Sequence, residues 1–179
     1  MRNVIIGTFI AIFALGISQP LLEVFNVLTE KVELGAALMN SCRAARNHAL
    51  EENYYEAMNI GGLAMNIGDL DAFIDEDRFR YFFAKAFAAT LDVSIIDDSS
   101  DPVIFGANGR WNSIRVYIDW EDDIDTNELE GRTVSMATVE LVTPYRFKTG
   151  LLQRLIAGDN VSHGYYITET RPFMVQIIN

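Results

Sequence analysis

Residues 1–28 read MRNVIIGTFIAIFALGISQPLLEVFNVL, and no charged residue occurs between Arg2 and Glu23. An α-helix rises about 1.5 Å per residue, so this uncharged run spans roughly 30 Å as a helix, which is the thickness of the hydrocarbon core of a bilayer. We therefore expect a membrane-spanning helix over Val4–Leu22. The positive-inside rule places Arg2 and the amino terminus in the cytoplasm and the remainder outside.

Two other interpretations fit parts of the same run. A cleaved signal peptide would have a basic start, an apolar core of about 7–15 residues and a small-x-small site, which Gly16-Ile17-Ser18 could provide. The apolar character continues through Leu28, however, which favours a retained helix. A helix buried in the core of the protein is the third interpretation.

Length and charge restrict the class of protein further. A chain of 179 residues suits one anchored domain of ordinary size. Its net charge is −11, or −12 without Arg2, and an acidic exterior argues against nucleic acid and anionic lipid surfaces as partners. Cys42 is the single cysteine, so it forms no internal disulfide, and we expect it to be a small buried residue.

Beyond the membrane segment the apolar residues become one-sided. They recur at alternating spacings of four and three, which predicts one face of a helix. We expect a single helix from about Val4 to about Glu52, kinked by Pro20 because proline lacks the backbone N–H. The residues of the expected face are Leu21, Phe25, Leu28, Val32, Gly35, Met39 and Cys42.

The remaining chain predicts a head that contains a helix and a sheet. The pattern breaks around Asn59–Gly68, and a second helix is expected after Asp75 as N-cap. Its apolar face comprises Phe79, Phe82, Phe83, Ala86 and Phe87. The expected strands are Arg110–Trp120, Thr133–Phe147, Tyr165–Thr170 and Phe173–Ile178, with a short helix over Leu151–Ala157.

These elements predict an α+β fold, namely a long N-terminal membrane-spanning helix followed by a helix and a mainly antiparallel sheet. We divide the chain into a transmembrane and assembly helix over 1–52 and an extracytoplasmic head over 53–179. No phosphate-binding loop, HExxH, CxxC or GxSxG motif occurs in the sequence. We therefore expect no enzymatic activity, and we interpret His48 as an ordinary residue on the helix surface.

The acidic loop WEDDIDTNELEG is a candidate calcium site. Asp123, Asp125 and Asn127 match the first oxygen positions of a calcium-binding loop, D-x-D-x-N. The EF-hand pattern fails, because Glu128 replaces the required glycine and Val134 the required glutamate. Irregular calcium coordination and a plain solvated loop both remain open, as does a contribution from the cluster Asp97–Asp101.

The layout resembles the type IV pilin superfamily, in particular the TadE-like pseudopilins of tight-adherence (Tad) machinery. The shared features are the N-terminal apolar segment, a proline about twenty residues into the chain, a long one-sided helix and a C-terminal antiparallel head. The resemblance implies a structural subunit that is drawn from the membrane into a surface filament or a secretion machine. Its partners would be copies of itself or related pilin-like subunits.

Residues for such assembly can be named from packing chemistry. Inside the bilayer close helix contact depends on small residues, and outside it on apolar side chains. The assembly residues that we expect are Gly7, Ala11, Ala14, Pro20, Leu21, Phe25, Leu28 and Val32. The alternative function is a membrane-tethered or secreted binding module whose acidic loop holds calcium or a basic partner.

Overall fold

The computed structural model describes residues 2–61, 74–121, 133–147 and 165–178. It contains two helices, followed by five strands in one antiparallel sheet, which confirms the α+β fold expected from the sequence. The elements are α1 (Arg2–Gly61), α2 (Glu76–Leu91), β1 (Ile95–Asp97), β2 (Val103–Phe105), β3 (Ile114–Glu121), β4 (Thr133–Tyr145) and β5 (Tyr165–Ile178).

Helix α1 is the longest element and has 60 residues. It includes Pro20 within its length and ends at Gly61, beyond the expected end near Glu52. At about 1.5 Å per residue the helix is roughly 90 Å long, so it extends far past the membrane-length segment. Its distal half lies against α2 and the sheet, where Leu34 and Leu38 are fully buried.

The head covers the expected apolar row of α1 only along its distal part. Gly35 and Cys42 are buried, but Phe25 and Val32 are exposed. A spacing of four and three repeats every 3.5 residues, whereas a straight helix repeats every 3.6, so such a row drifts by about 20° per heptad. The row therefore turns from solvent towards the head along the helix. The residues of α1 buried in the head follow a different line: Val27, Leu34, Ala37, Leu38, Ser41, Ala45 and Ala49.

Helix α2 carries the aromatic centre of the core. Phe79, Phe83 and Phe87 are fully buried, which confirms the expected apolar face, while Phe82 is half-buried and stacks on His48 with ring centroids 5.6 Å apart. Asp75 occupies the N-cap position, but its side chain makes no capping hydrogen bond. The helix ends where Asp92 adopts the left-handed conformation (φ 55°).

The sheet is a meander in the order β1-β2-β3-β4-β5, in which neighbouring strands are antiparallel. In β3 the side chains of Ile114, Val116 and Ile118 are buried while the residues between them are exposed, as the alternation predicts. The buried side faces the helices, since Phe79 contacts Trp120 and Phe173 at centroid distances of 5.5 and 6.3 Å. The core thus lies between this face and the two helices.

The last strand differs from the expectation. We expected a break at Arg171-Pro172 between two strands, but β5 continues through both residues, which pair with Val139 and Thr138. Proline is tolerated because β5 is at the end of the strand order, where a missing N–H removes no bond from a second neighbour. Strands β1 and β2 were not predicted, because three residues are too few to show an alternating pattern. The expected helix Leu151–Ala157 lies outside the described residues.

Candidate functional site

The first part of α1 has an apolar surface that the described chain does not cover. Residues 4–19 are exposed, and the most apolar stretch of 18 residues is 0% buried. Within the described residues α1 is the one helix long and apolar enough to cross a membrane. The interpretation of a helix buried in the core of the protein therefore has no support among these residues.

The apolar surface continues beyond the length of a bilayer. Leu21, Phe25, Leu28 and Val32 are 51%, 61%, 52% and 71% exposed, and we call these four residues the outward stripe. Of the other expected assembly residues, Gly7, Ala11 and Ala14 are exposed and Pro20 is half-buried. A Cβ at position 7 would meet no atom within 4 Å apart from the adjacent backbone of its own helix, so Gly7 borders open space.

Near the distal end of the outward stripe, α1 is held to the sheet by a buried carboxylate. Glu169 of β5 is 8% exposed and forms ion pairs with Lys31, at 3.5 Å, and with Arg171. Gly35 lets the strand approach, because a Cβ at this position would lie 3.4 Å from Oε1 of Glu169. These contacts attach the head to α1 at Lys31 and Gly35, on either side of Val32 in the sequence, while the four residues of the outward stripe stay exposed.

A cavity of about 520 Å³ lies where α1 enters the head, and we call it the junction cavity. Its walls are residues 26–30 of α1, the loop before β3 and the end of β4. Asn112 Nδ2 donates a hydrogen bond to the carbonyl oxygen of Pro144 at 2.7 Å, which joins the two walls supplied by the sheet. The polar and charged side chains of the lining include Asn26, Glu30, Arg110, Asn112, Tyr145 and Arg146.

Charged groups of both signs surround this cavity. Arg110 forms an ion pair with Glu33 and places its guanidinium 4.7 Å from the centroid of the Trp111 ring. The hydrogen bond and the charge of Glu33 raise the pKa of Arg110. Burial raises the pKa of Tyr145, and the negative charges of Glu30 and Glu23 raise it further, so this phenol stays protonated at neutral pH.

The candidate calcium residues Asp123, Asp125 and Asn127 lie outside the described residues, in 122–132. Within the described ranges no group of three or more His, Cys, Asp or Glu side chains is placed to hold a metal ion. In the second acidic cluster, Asp97–Asp101, two of the carboxylates already accept hydrogen bonds from the protein. Asp97 accepts hydrogen bonds from Ser99 and Ser100, which lower its pKa, and Asp101 accepts one from the backbone N–H of Ile118.

The expectation for Cys42 is confirmed. Its side chain is fully buried, and desolvation raises the pKa of the thiol to about 12. A thiol in this state remains protonated at neutral pH and is a poor nucleophile or metal ligand. Cys42 therefore fills space in the core between α1 and its neighbours.

The junction cavity was not predicted from the sequence. Its residues come from three separate segments, around positions 26–30, 109–112 and 143–146, and none of these segments carries a motif. The sequence signals that point towards it are weak, namely arginines beside aromatic residues at Arg110-Trp111 and Tyr145-Arg146. No protein-family model matches this chain, and neither a characterised protein nor a solved structure matches it significantly.

Proposed function

We propose that this chain is a membrane-anchored structural subunit that assembles with copies of itself or with related subunits through α1. The observation that carries the proposal is the exposure of the outward stripe, which begins at the end of a bilayer-length apolar segment and continues beyond it. In this proposal Val4–Leu22 spans the membrane, the amino terminus is cytoplasmic and the head is extracytoplasmic. The subunit is pilin-like or pseudopilin-like, and it has no catalytic role.

The free energy gained by covering the apolar surface of α1 depends on whether lipid or water surrounds that surface. Inside the bilayer an exposed apolar helix surface has no cost, because lipid tails surround it. Beyond Leu22 the same kind of surface passes out of the lipid tails into the hydrated headgroup layer and then into water, and burying one large apolar side chain away from water is worth about 1.5–3 kcal/mol. A neighbouring copy that covers Phe25, Leu28 and Val32 would therefore gain several kcal/mol. Within the membrane, Gly7, Ala11 and Ala14 permit the close approach that continues the same contact.

The test is the substitution Phe25→Glu in the full-length chain. We expect it to abolish assembly while the head remains folded, because a carboxylate would replace the single aromatic side chain of the outward stripe, which is exposed. Assembly is measured by cross-linking in membranes and by negative-stain microscopy of filaments. The matched control is Ala89→Glu, which adds the same charge at an exposed position of α2.

A monomeric protein in mild detergent, together with unchanged cross-linking in Phe25→Glu, would contradict the subunit function. The membrane-tethered binding module would then replace it. Equal loss of assembly in Ala89→Glu would also count against the proposal, since the effect would not depend on the outward stripe.

A further inference from the structure

The junction cavity lies at a height above the membrane that the helix itself defines. Its α1 wall comprises residues 26–30, and the membrane-spanning segment of the proposed function ends at Leu22. At about 1.5 Å per residue the wall lies about 6–12 Å beyond the hydrocarbon core. The polar headgroups occupy about the first 5–8 Å of that region, so the cavity adjoins the headgroup layer.

Two arginines border the cavity. Arg110 and Arg146 both have exposed side chains, and the guanidinium of Arg110 is held over Trp111 by its ion pair with Glu33. A guanidinium carries five N–H donors in a planar arrangement that matches the oxygens of a phosphate. Because the stacking and the ion pair fix Arg110 in place, less conformational entropy is lost when it binds an anion.

A carboxylate borders the same cavity. Glu30 belongs to the lining, and the charges of Glu30 and Glu23 act on Tyr145 in the opposite wall. The surroundings are therefore of mixed sign. A purely anionic ligand would meet these carboxylates and the net acidity of the chain, whereas a ligand with one phosphate and one ammonium group matches both signs.

We propose that the junction cavity binds the zwitterionic headgroup of a membrane phospholipid. The phosphodiester lies between Arg110 and Arg146, and the ammonium group points towards Glu30. The volume of about 520 Å³ is within the range of small-ligand sites. This inference rests on the membrane anchor of the proposed function, and it adds a specific lipid contact that seats the head on the bilayer.

The experiment uses Trp111, which lines the cavity, as a fluorescent reporter. The chain has two tryptophans, and the second, Trp120, packs edge-on against Phe79 in the core. In a Trp120→Phe background the full chain, purified in a maltoside detergent, is titrated with dihexanoyl phosphatidylethanolamine. We expect a saturable change in Trp111 emission. Inorganic phosphate and dihexanoylglycerol are titrated separately. The first retains only the phosphate of the lipid, and the second retains only its acylated glycerol.

Arg110→Gln/Arg146→Gln should weaken the binding of the short-chain phospholipid by about tenfold or more, since charge-assisted hydrogen bonds to the phosphate are lost. Arg43→Gln is the matched control, because this exposed arginine lies on α1 about 20 Å above Glu30. It should leave the titration unchanged. If the double variant fails to fold, Arg146→Gln alone, at an exposed side chain, provides the same test with a smaller effect.

Three outcomes would overturn the inference: a titration without saturation, equal binding of inorganic phosphate, or equal binding of dihexanoylglycerol. Equal binding of inorganic phosphate would indicate a site for free phosphate. Equal binding of dihexanoylglycerol would indicate a site that does not recognise the headgroup. Different observations would contradict the proposed function, namely a monomeric protein or a mature chain without the membrane segment. Both can be measured independently of lipid binding in the cavity. A chain that assembles in membranes but gives a flat titration contradicts only the lipid site.

Discussion

At the scale of single residues, the contact between Gly35 and Glu169 decides which side of α1 faces the sheet. The carboxylate of Glu169 is buried and paired with Lys31 and Arg171, so it must reach the helix surface at a position without a long side chain. Gly35 supplies that position in the middle of α1. The sequence indicated Gly35 only as one position of the apolar row, and it did not indicate Glu169, because a helical glycine and a lone glutamate have many ordinary roles.

The distance at this contact predicts the effect of a substitution. A Cβ at position 35 would lie 3.4 Å from Glu169, which is an ordinary van der Waals contact. Gly35→Ala should therefore raise the free energy of unfolding by about 0.5–1 kcal/mol, since alanine is favoured over glycine inside a helix. Gly35→Leu should lower it, because the larger side chain displaces the carboxylate from its ion pairs. Thermal unfolding of both variants and of the unsubstituted chain measures these changes in the free energy of unfolding.

Ala36→Gly serves as the control for this pair. Residue 36 is exposed and one position along the same helix, so its substitution reports helix propensity without the contact to Glu169. We expect a loss of about 1 kcal/mol. Destabilisation by Gly35→Ala would show that β5 approaches the helix more closely than ordinary contact allows.

At the scale of elements, sequence periodicity was informative where an element is long and half-buried. The phenylalanines of α2 and the alternation of β3 repeat often enough to define both the element and its buried face. Short strands such as β1 contain too few residues for a period, and Arg171-Pro172 was interpreted as a break because proline usually ends strands away from a sheet edge. The heptad row of α1 predicted a helix face, but its spacing alone does not show which of its residues the partner elements cover.

The same element scale yields a stability prediction for α2. Phe83 is fully buried and stacks with Phe79 and Phe87 at centroid distances of 6.4 and 5.6 Å. Phe83→Ala should destabilise the head by about 3–5 kcal/mol, through lost burial and the cavity left behind. Chemical denaturation followed by circular dichroism measures this loss. Tyr81→Ala, at an exposed ring of the same helix, should cost far less, and equal costs would contradict the assigned core.

At the scale of the whole molecule, the question is whether residues 4–22 stay with the mature protein. The exposure of this segment requires a non-aqueous environment or a partner. We expect the protein to remain in carbonate-washed membranes and to be released by detergent. N-terminal sequencing provides the decisive control, because a mature chain that begins at Gln19 would show a cleaved signal peptide and contradict the anchor. A start at another early residue would instead indicate pilin-like processing.

In the proposed function α1 is one helix from the membrane segment into the core of the head, so it would also act as a mechanical element. A force applied to the head passes along the helix axis to the anchor, without a flexible linker that could extend first. Pro20 lacks the N–H that would bond the carbonyl of Gly16, so bending is easiest at this point. Load would therefore tilt the entire head as a rigid arm about the bilayer edge and leave the fold of the head unstretched.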